Sequence, residues 1–300
     1  MSKLLKAWSL AYGRAFVVVL IAAAIVLPLG CLLVLIPLWL VTELEADIWV
    51  LILPASLYVL ILNGGAFGYL ALVLRRRKRR LDAAFTPLGL TGQRYMLTGR
   101  QYHGTVEGRD VDVRFYRGPM LELHLSTPLQ TRFGVAEVGS TTPALARLFG
   151  REPLDLDDPA LSGLRVYALD EGWSHSLLAD PEAQRLVRQL LSAGESWALV
   201  RQVVLGPGAF RLRLYHSQRL FGFEITPEGA QRWLDDLLTL TRIAERLRGP
   251  TVTAEESAGE RLARSGGASR IGLVIVALVV GIPTCILAVV AAIFFAWSIR

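Results

Sequence analysis

Cysteine is nearly absent: the 300 residues hold two, Cys31 and Cys285, each inside a long apolar run. That excludes a disulfide framework and a CxxC pair, and it suits a reducing compartment for the polar part of the chain. Lysine stops at Lys78, which removes from everything beyond it a P-loop lysine, a kinase-type lysine and a Schiff base. Histidine is scarce too, and His103, His124, His175 and His216 share no HxxxH or similar spacing, so no zinc pattern exists. No GxSxG elbow occurs, and Ser174-His175-Ser176 places a base beside hydroxyls only along the chain, which does not build a triad. The acids Asp155, Asp157, Asp158, Asp170 and Glu171 lack the glycine and distal glutamate of a calcium loop. The sequence therefore offers no candidate catalytic residue, no cofactor site and no metal site.

What the sequence has in excess is apolar surface, 53% of its residues. The surplus lies in three runs, 15–41, 48–74 and 271–297, each free of Asp, Glu, Lys and Arg. A helix needs roughly 20 apolar residues to cross a hydrocarbon core about 30 Å thick, so each run predicts one span. The fold class expected is a membrane protein with three transmembrane α-helices and a cytoplasmic antiparallel α+β domain. Its expected parts are a tail (1–14), span 1 (15–41), an outer loop (42–47), span 2 (48–74), a basic collar (75–80), the domain (81–250), a linker (251–270), span 3 (271–297) and an outer tail (298–300).

The net charge of +6 is gathered beside those runs: Lys3, Lys6 and Arg14 precede the first, and Arg75, Arg76, Arg77, Lys78, Arg79 and Arg80 follow the second. The short loop between them carries Glu43, Glu45 and Asp47, and residues 81–250 are close to neutral. Base placed this way reads as orientation in a membrane and not as a phosphate groove, so nucleic acid is excluded as a partner. It predicts the amino terminus and the domain inside and the carboxyl terminus outside, in a multi-pass inner-membrane protein. Trp39, Trp49 and Trp297 fall at what would be the outer interface, in agreement. The same six cations are candidates for gathering anionic lipid. Within the second run, Asn63 offers a polar group for contact between helices, and Gly64 and Gly68, four apart, let another backbone approach.

Beyond the collar the periodicity changes. Val111, Val113 and Phe115 alternate with polar residues after the turn at 107–110, which predicts a hairpin of 101–106 with 111–116. Strands are expected at 120–125, 132–138 and 164–169, and a second hairpin, 197–205 with 210–215, about Gly206-Pro207-Gly208. Pro143 predicts a short helix to Phe149, and Asp180-Pro181-Glu182 and Thr226-Pro227-Glu228 are helix starts. Trp233, Leu237, Leu240, Ala244 and Leu247 form a helical stripe that stops at Gly249-Pro250. Strands in runs with helices between them give an antiparallel α+β domain.

The stretch Gly163-Leu164-Arg165-Val166-Tyr167, then Asp170, Leu177-Leu178, Asp180-Pro181, Leu190-Leu191, the turn at 206–208 and the long closing helix resembles bacterial membrane proteins of unknown function in which two spans precede a small α+β domain. The likeness covers about residues 50–250, and this chain adds a third apolar run. It implies a bacterial inner-membrane setting and no activity. The function expected is a membrane-anchored cytoplasmic interaction or scaffold domain. A subunit of an oligomeric transporter or channel is the alternative, and a membrane-bound enzyme comes third. The partners expected are the lipid bilayer with its anionic lipids, an unidentified protein and a second copy of the chain.

Overall fold

The computed structural model describes residues 68–69, 71–95, 99–116, 120–137, 152–154, 158–215 and 223–256. Helix α1 (71–85) continues without a break from the end of the second apolar run through the basic residues. A 3-10 turn at Thr86–Leu88 then leads to β1 (Thr91–Tyr95), β2 (Gly99–Val106), β3 (Arg109–Tyr116), β4 (Met120–Ser126) and β5 (Phe133–Glu137). After a second 3-10 turn at Pro159–Leu161 come β6 (Leu164–Ala168), α2 (Glu171–Leu178), α3 (Pro181–Leu191), β7 (Val200–Gly206), β8 (Ala209–Tyr215) and α4 (Pro227–Arg246).

The strands form one eight-stranded sheet in the order β1-β2-β3-β4-β8-β7-β5-β6, and all seven adjacent pairs are antiparallel. Two hairpins set the register. Glu107 and Gly108 take φ of 51° and 76°, the paired positive values of a two-residue turn that matches strand twist. In the second, Gly208 has φ of 79°, which Pro207 beside it could not adopt. That turn is pinned to the loop after β4 by Gly208 N–H to the Leu129 carbonyl at 2.9 Å and Thr127 N–H to the Gly208 carbonyl at 3.0 Å.

One sheet face carries the core. Val111, Val113 and Phe115 of β3, Leu121, Leu123 and Leu125 of β4, Phe210, Leu212 and Leu214 of β8, and Val203 and Leu205 of β7 are all buried in a single cluster. Alternation along antiparallel strands puts these side chains on one side, where α1, α3 and α4 cover them. Each helix buries a stripe: Ala183, Leu186, Val187, Leu190 and Leu191 on α3, and Trp233, Leu237, Leu240 and Ala244 on α4. Asp180 caps α3 by accepting from Glu182 N–H at 2.8 Å, and Thr226 caps α4 by accepting from Gly229 N–H at 3.0 Å. α4 is also tied to the sheet through Glu245, which accepts from Arg109 Nη1 and Thr127 Oγ1, both at 2.7 Å.

The expected fold class needs correction. Among the described residues no helix is long and apolar enough to cross a membrane, and what they form is an antiparallel α+β fold in place of a three-span membrane protein. The transmembrane and cell-membrane readings are corrected with it. The physical reason is visible in α1: the stretch from 75 onward is charged on most sides and packs one face on the sheet, so this helix is a cover for the core. Residues 15–41 and 271–297, most of 48–74 and the helix expected from Pro143 to Phe149 lie outside the described residues.

The chain does not leave the domain at Gly249-Pro250. Residues 251–256 lie back along 130–132: the Thr131 hydroxyl donates to the Val252 carbonyl at 3.0 Å, Ala254 N–H to the Gln130 carbonyl at 2.8 Å, and Arg132 Nη2 to the Glu255 carbonyl at 3.2 Å.

Candidate functional site: the basic helix

Six consecutive cations cannot all face solvent on a helix that has to cover a sheet. Arg77, Leu81, Ala84 and Phe85 recur at the spacing of one helical face, and all four are buried. Arg77 is only 5% exposed. Its guanidinium stands 5.2 Å from the centre of the Phe115 ring, a cation over an aromatic face, and burial pushes its pKa down from the usual arginine value. Phe85 meets Tyr102 with ring centres 5.2 Å apart.

A polar clamp completes the seat of α1. Asp82 Oδ1 accepts from Arg100 Nη2 at 2.7 Å and from the Tyr102 hydroxyl at 2.6 Å, both on β2. Burial pushes the Asp82 carboxyl up, but these two donors outweigh it and hold the pKa below the ordinary carboxylate value. Burial and the hydrogen bond to Asp82 push the Tyr102 phenol well above its usual range. The helix is thus fixed by apolar contact, a cation–ring contact and a charged clamp together.

The remaining cations, Arg75, Arg76, Lys78, Arg79 and Arg80, are exposed. Leu72 at the start of α1 and Tyr69 just before it are 57% and 62% exposed, the two most exposed large apolar side chains among the described residues. Tyr69, Leu72, Arg76 and Arg79 are spaced three, four and three apart, so they run down one side of the helix. An apolar tip therefore stands above a basic band on this side of the chain.

Of the sequence candidates, Arg75, Arg76, Lys78, Arg79 and Arg80 thus share one solvent-facing band, and Arg77 is set apart beneath it. Asn63 and Gly64 lie outside the described residues. Gly68 is helical and exposed, with open space where a Cβ would stand. Sequence reasoning passed over Asp82, Arg100 and Tyr102, and the only signal for them is the register of β2 against α1.

The other sheet face holds a polar ladder. Glu122 accepts from Arg213 Nε at 2.7 Å, and His124 Nε2 lies 3.5 Å from its other oxygen. Burial pushes the Glu122 carboxyl up, but His124 and the Arg213 guanidinium pull it well below the usual range. Burial pushes the His124 imidazole down from its usual pKa, against the pull of the Glu122 carboxylate. Asp112 accepts from Arg114 Nε at 2.6 Å and from Gln101 Nε2 at 2.7 Å. Each carboxylate here is matched by an arginine, Glu122 across strands and Asp112 within β3, and the Glu122–Arg213 and Gln101–Asp112 bonds help pin register between strands. Ser174 and Ser176 donate to the Asp170 and Gly172 carbonyls at 2.8 and 2.9 Å, so the hydroxyls beside His175 serve helix α2. Among the described residues no group of His, Cys, Asp and Glu is placed to hold a metal ion.

No family model matches the chain, and no curated protein does. Among solved structures, the mycobacterial trehalose monomycolate transport factor A, TtfA, is similar at 11% identity and a TM-score of 0.38, covering 58% of this chain and 97% of that one. A likeness of that size carries no statement about activity or partner.

Proposed function

We propose that this α+β domain is a non-enzymatic interaction module that seats on an anionic lipid surface through the exposed side of α1. The observation that carries the reading is a rigidly held helix with five exposed cations below two exposed apolar side chains. Each lysine or arginine close to an anionic surface contributes about 1 kcal/mol, and the attraction decays over a Debye length of about 8 Å at physiological salt. Because α1 is clamped to β2 and β3, such a contact would orient the whole sheet.

The test is flotation of a fragment spanning 68–256, first checked for a cooperative thermal transition, with vesicles of neutral lipid and with vesicles holding one-third anionic lipid. Binding is expected only to the anionic vesicles and is expected to weaken steeply with salt. Replacing Arg75, Arg76, Lys78, Arg79 and Arg80 by Gln should abolish it. Equal binding to neutral vesicles, or anionic binding that survives the replacement, would overturn the proposal.

A further inference from the structure

Asp170 stands at the end of β6 and is 6% exposed. Its two oxygens serve different segments. Oδ1 accepts from Trp173 N–H at 3.0 Å and so caps α2. Oδ2 accepts from Thr251 N–H at 2.6 Å, the Thr251 hydroxyl at 2.8 Å and Val252 N–H at 3.0 Å. One carboxylate therefore joins the start of a helix to a segment some eighty residues later.

The segment it holds buries little apolar surface. No residue of 251–256 belongs to the apolar core, and Val252 is 43% exposed. Besides the three bonds to Asp170, polar contacts tie it to Thr131, Gln130 and Arg132. A segment bound by hydrogen bonds without apolar burial belongs to the low end of local stability and opens ahead of the core.

We propose that Asp170 is the latch of a releasable strap: it holds residues 251–256 on the domain, and letting go of them changes the direction in which the chain leaves α4. Release gives up the Oδ2 contacts together with those to Thr131, Gln130 and Arg132, while the Oδ1 cap of α2 persists in both forms. The strap lies by β5 and β6, at the opposite end of the strand order from α1. A partner that pulls on the chain after residue 256 thus acts on the domain through Asp170.

Asp170→Asn separates the two roles, since asparagine caps a helix about as well as aspartate while its amide nitrogen cannot accept from backbone N–H groups. In the full-length protein, hydrogen exchange at the Thr251 and Val252 amides is expected to quicken by about tenfold or more in D170N, with the Trp173 amide within about twofold of the unchanged protein. Spin labels at Glu255 and Arg188 should show one narrow distance before the change and a broad distribution after it. The latch is refuted by unchanged exchange at 251–252 in folded D170N, or by equal loosening at Trp173. Should D170N not fold, Thr251→Val decides: it removes one donor and should quicken exchange at Val252 by at least about threefold, and no change there overturns the proposal.

Discussion

The domain is held differently where the chain enters it and where the chain leaves. At the entrance, α1 buries Leu81, Ala84 and Phe85 and lays Arg77 over Phe115. At the exit, residues 251–256 bury no apolar side chain and are held by Asp170, the Gln130 carbonyl and the Thr131 and Arg132 side chains. Burial of apolar surface contributes about 25 cal/mol per Å² and cannot be undone without opening the core, whereas a few hydrogen bonds net about 1 kcal/mol each. The contrast makes α1 a part of the fold and the strap a part that moves on it.

The strongest way to break this contrast is Phe85→Ala. The side chain is fully buried, and such truncations cost about 3–5 kcal/mol. Urea denaturation should show that loss, together with faster tryptic cleavage in the 75–80 run. A midpoint that does not move would mean that α1 is no more integral than the strap.

Asp170→Ala should cost less, about 1–2 kcal/mol near pH 7. Donors from Trp173, Val252 and Thr251 lower the Asp170 pKa to about 2. A carboxyl depressed in the folded state adds stability that is present above its unfolded pKa, 3.8, and disappears as pH falls toward about 2. The gap between D170A and the unchanged protein should therefore close over that interval, and a gap constant with pH would remove the carboxylate from the explanation.

Asp236, on the buried side of α4, gives a change of opposite sign. Its Oδ2 is buried without a hydrogen-bond partner, and burial pushes its pKa up. A carboxyl raised in the folded state stabilises fully below its unfolded pKa and loses that contribution as pH rises through the folded value. Asp236→Asn should then stabilise by about 1 kcal/mol at pH 7, read by thermal denaturation, with the gain vanishing at acidic pH. Smallest of all should be the stability effect of replacing the five exposed cations of α1 by Gln, within about 0.5 kcal/mol. If that variant unfolds several degrees earlier, the basic band is part of the packing and not a surface kept free for a partner.

Much of the sheet was legible because alternation and turn chemistry agreed. Val111, Val113 and Phe115 marked the core face of β3, and the helix starts at Asp180 and Thr226 are the caps the structure shows. β1 was not legible: Thr91-Gly92-Gln93-Arg94-Tyr95 buries only its last residue, and it is a strand because β2 offers an edge to pair with. α2 escaped notice because it is only eight residues long, opens on Glu171-Gly172, and repeats its apolar face just once, from Trp173 to Leu177 and Leu178. Its cap, Asp170, read as one acid among several, since the donors that fill its second oxygen come from residues 251 and 252. Arg77 was hidden inside its own run. The phase that buries it is set by Leu81, Ala84 and Phe85, and extending their stripe upstream by one turn reaches it.

The strand order also bears on how the protein is made. β4 and β5 follow one another in the chain, yet they are not neighbours, because the hairpin of β7 and β8 stands between them. A nascent chain that has reached only residue 191 holds both sides of a gap with nothing to fill it. The Leu121, Leu123 and Leu125 strand on one side and the Phe133 and Val135 strand on the other present open edges until residues 200–215 arrive. Such edges invite pairing with other chains. A ribosome paused or a message truncated between α3 and β8 should release an aggregating product, whereas a chain completed through α4 has the strands that close the seam and the helix that covers it.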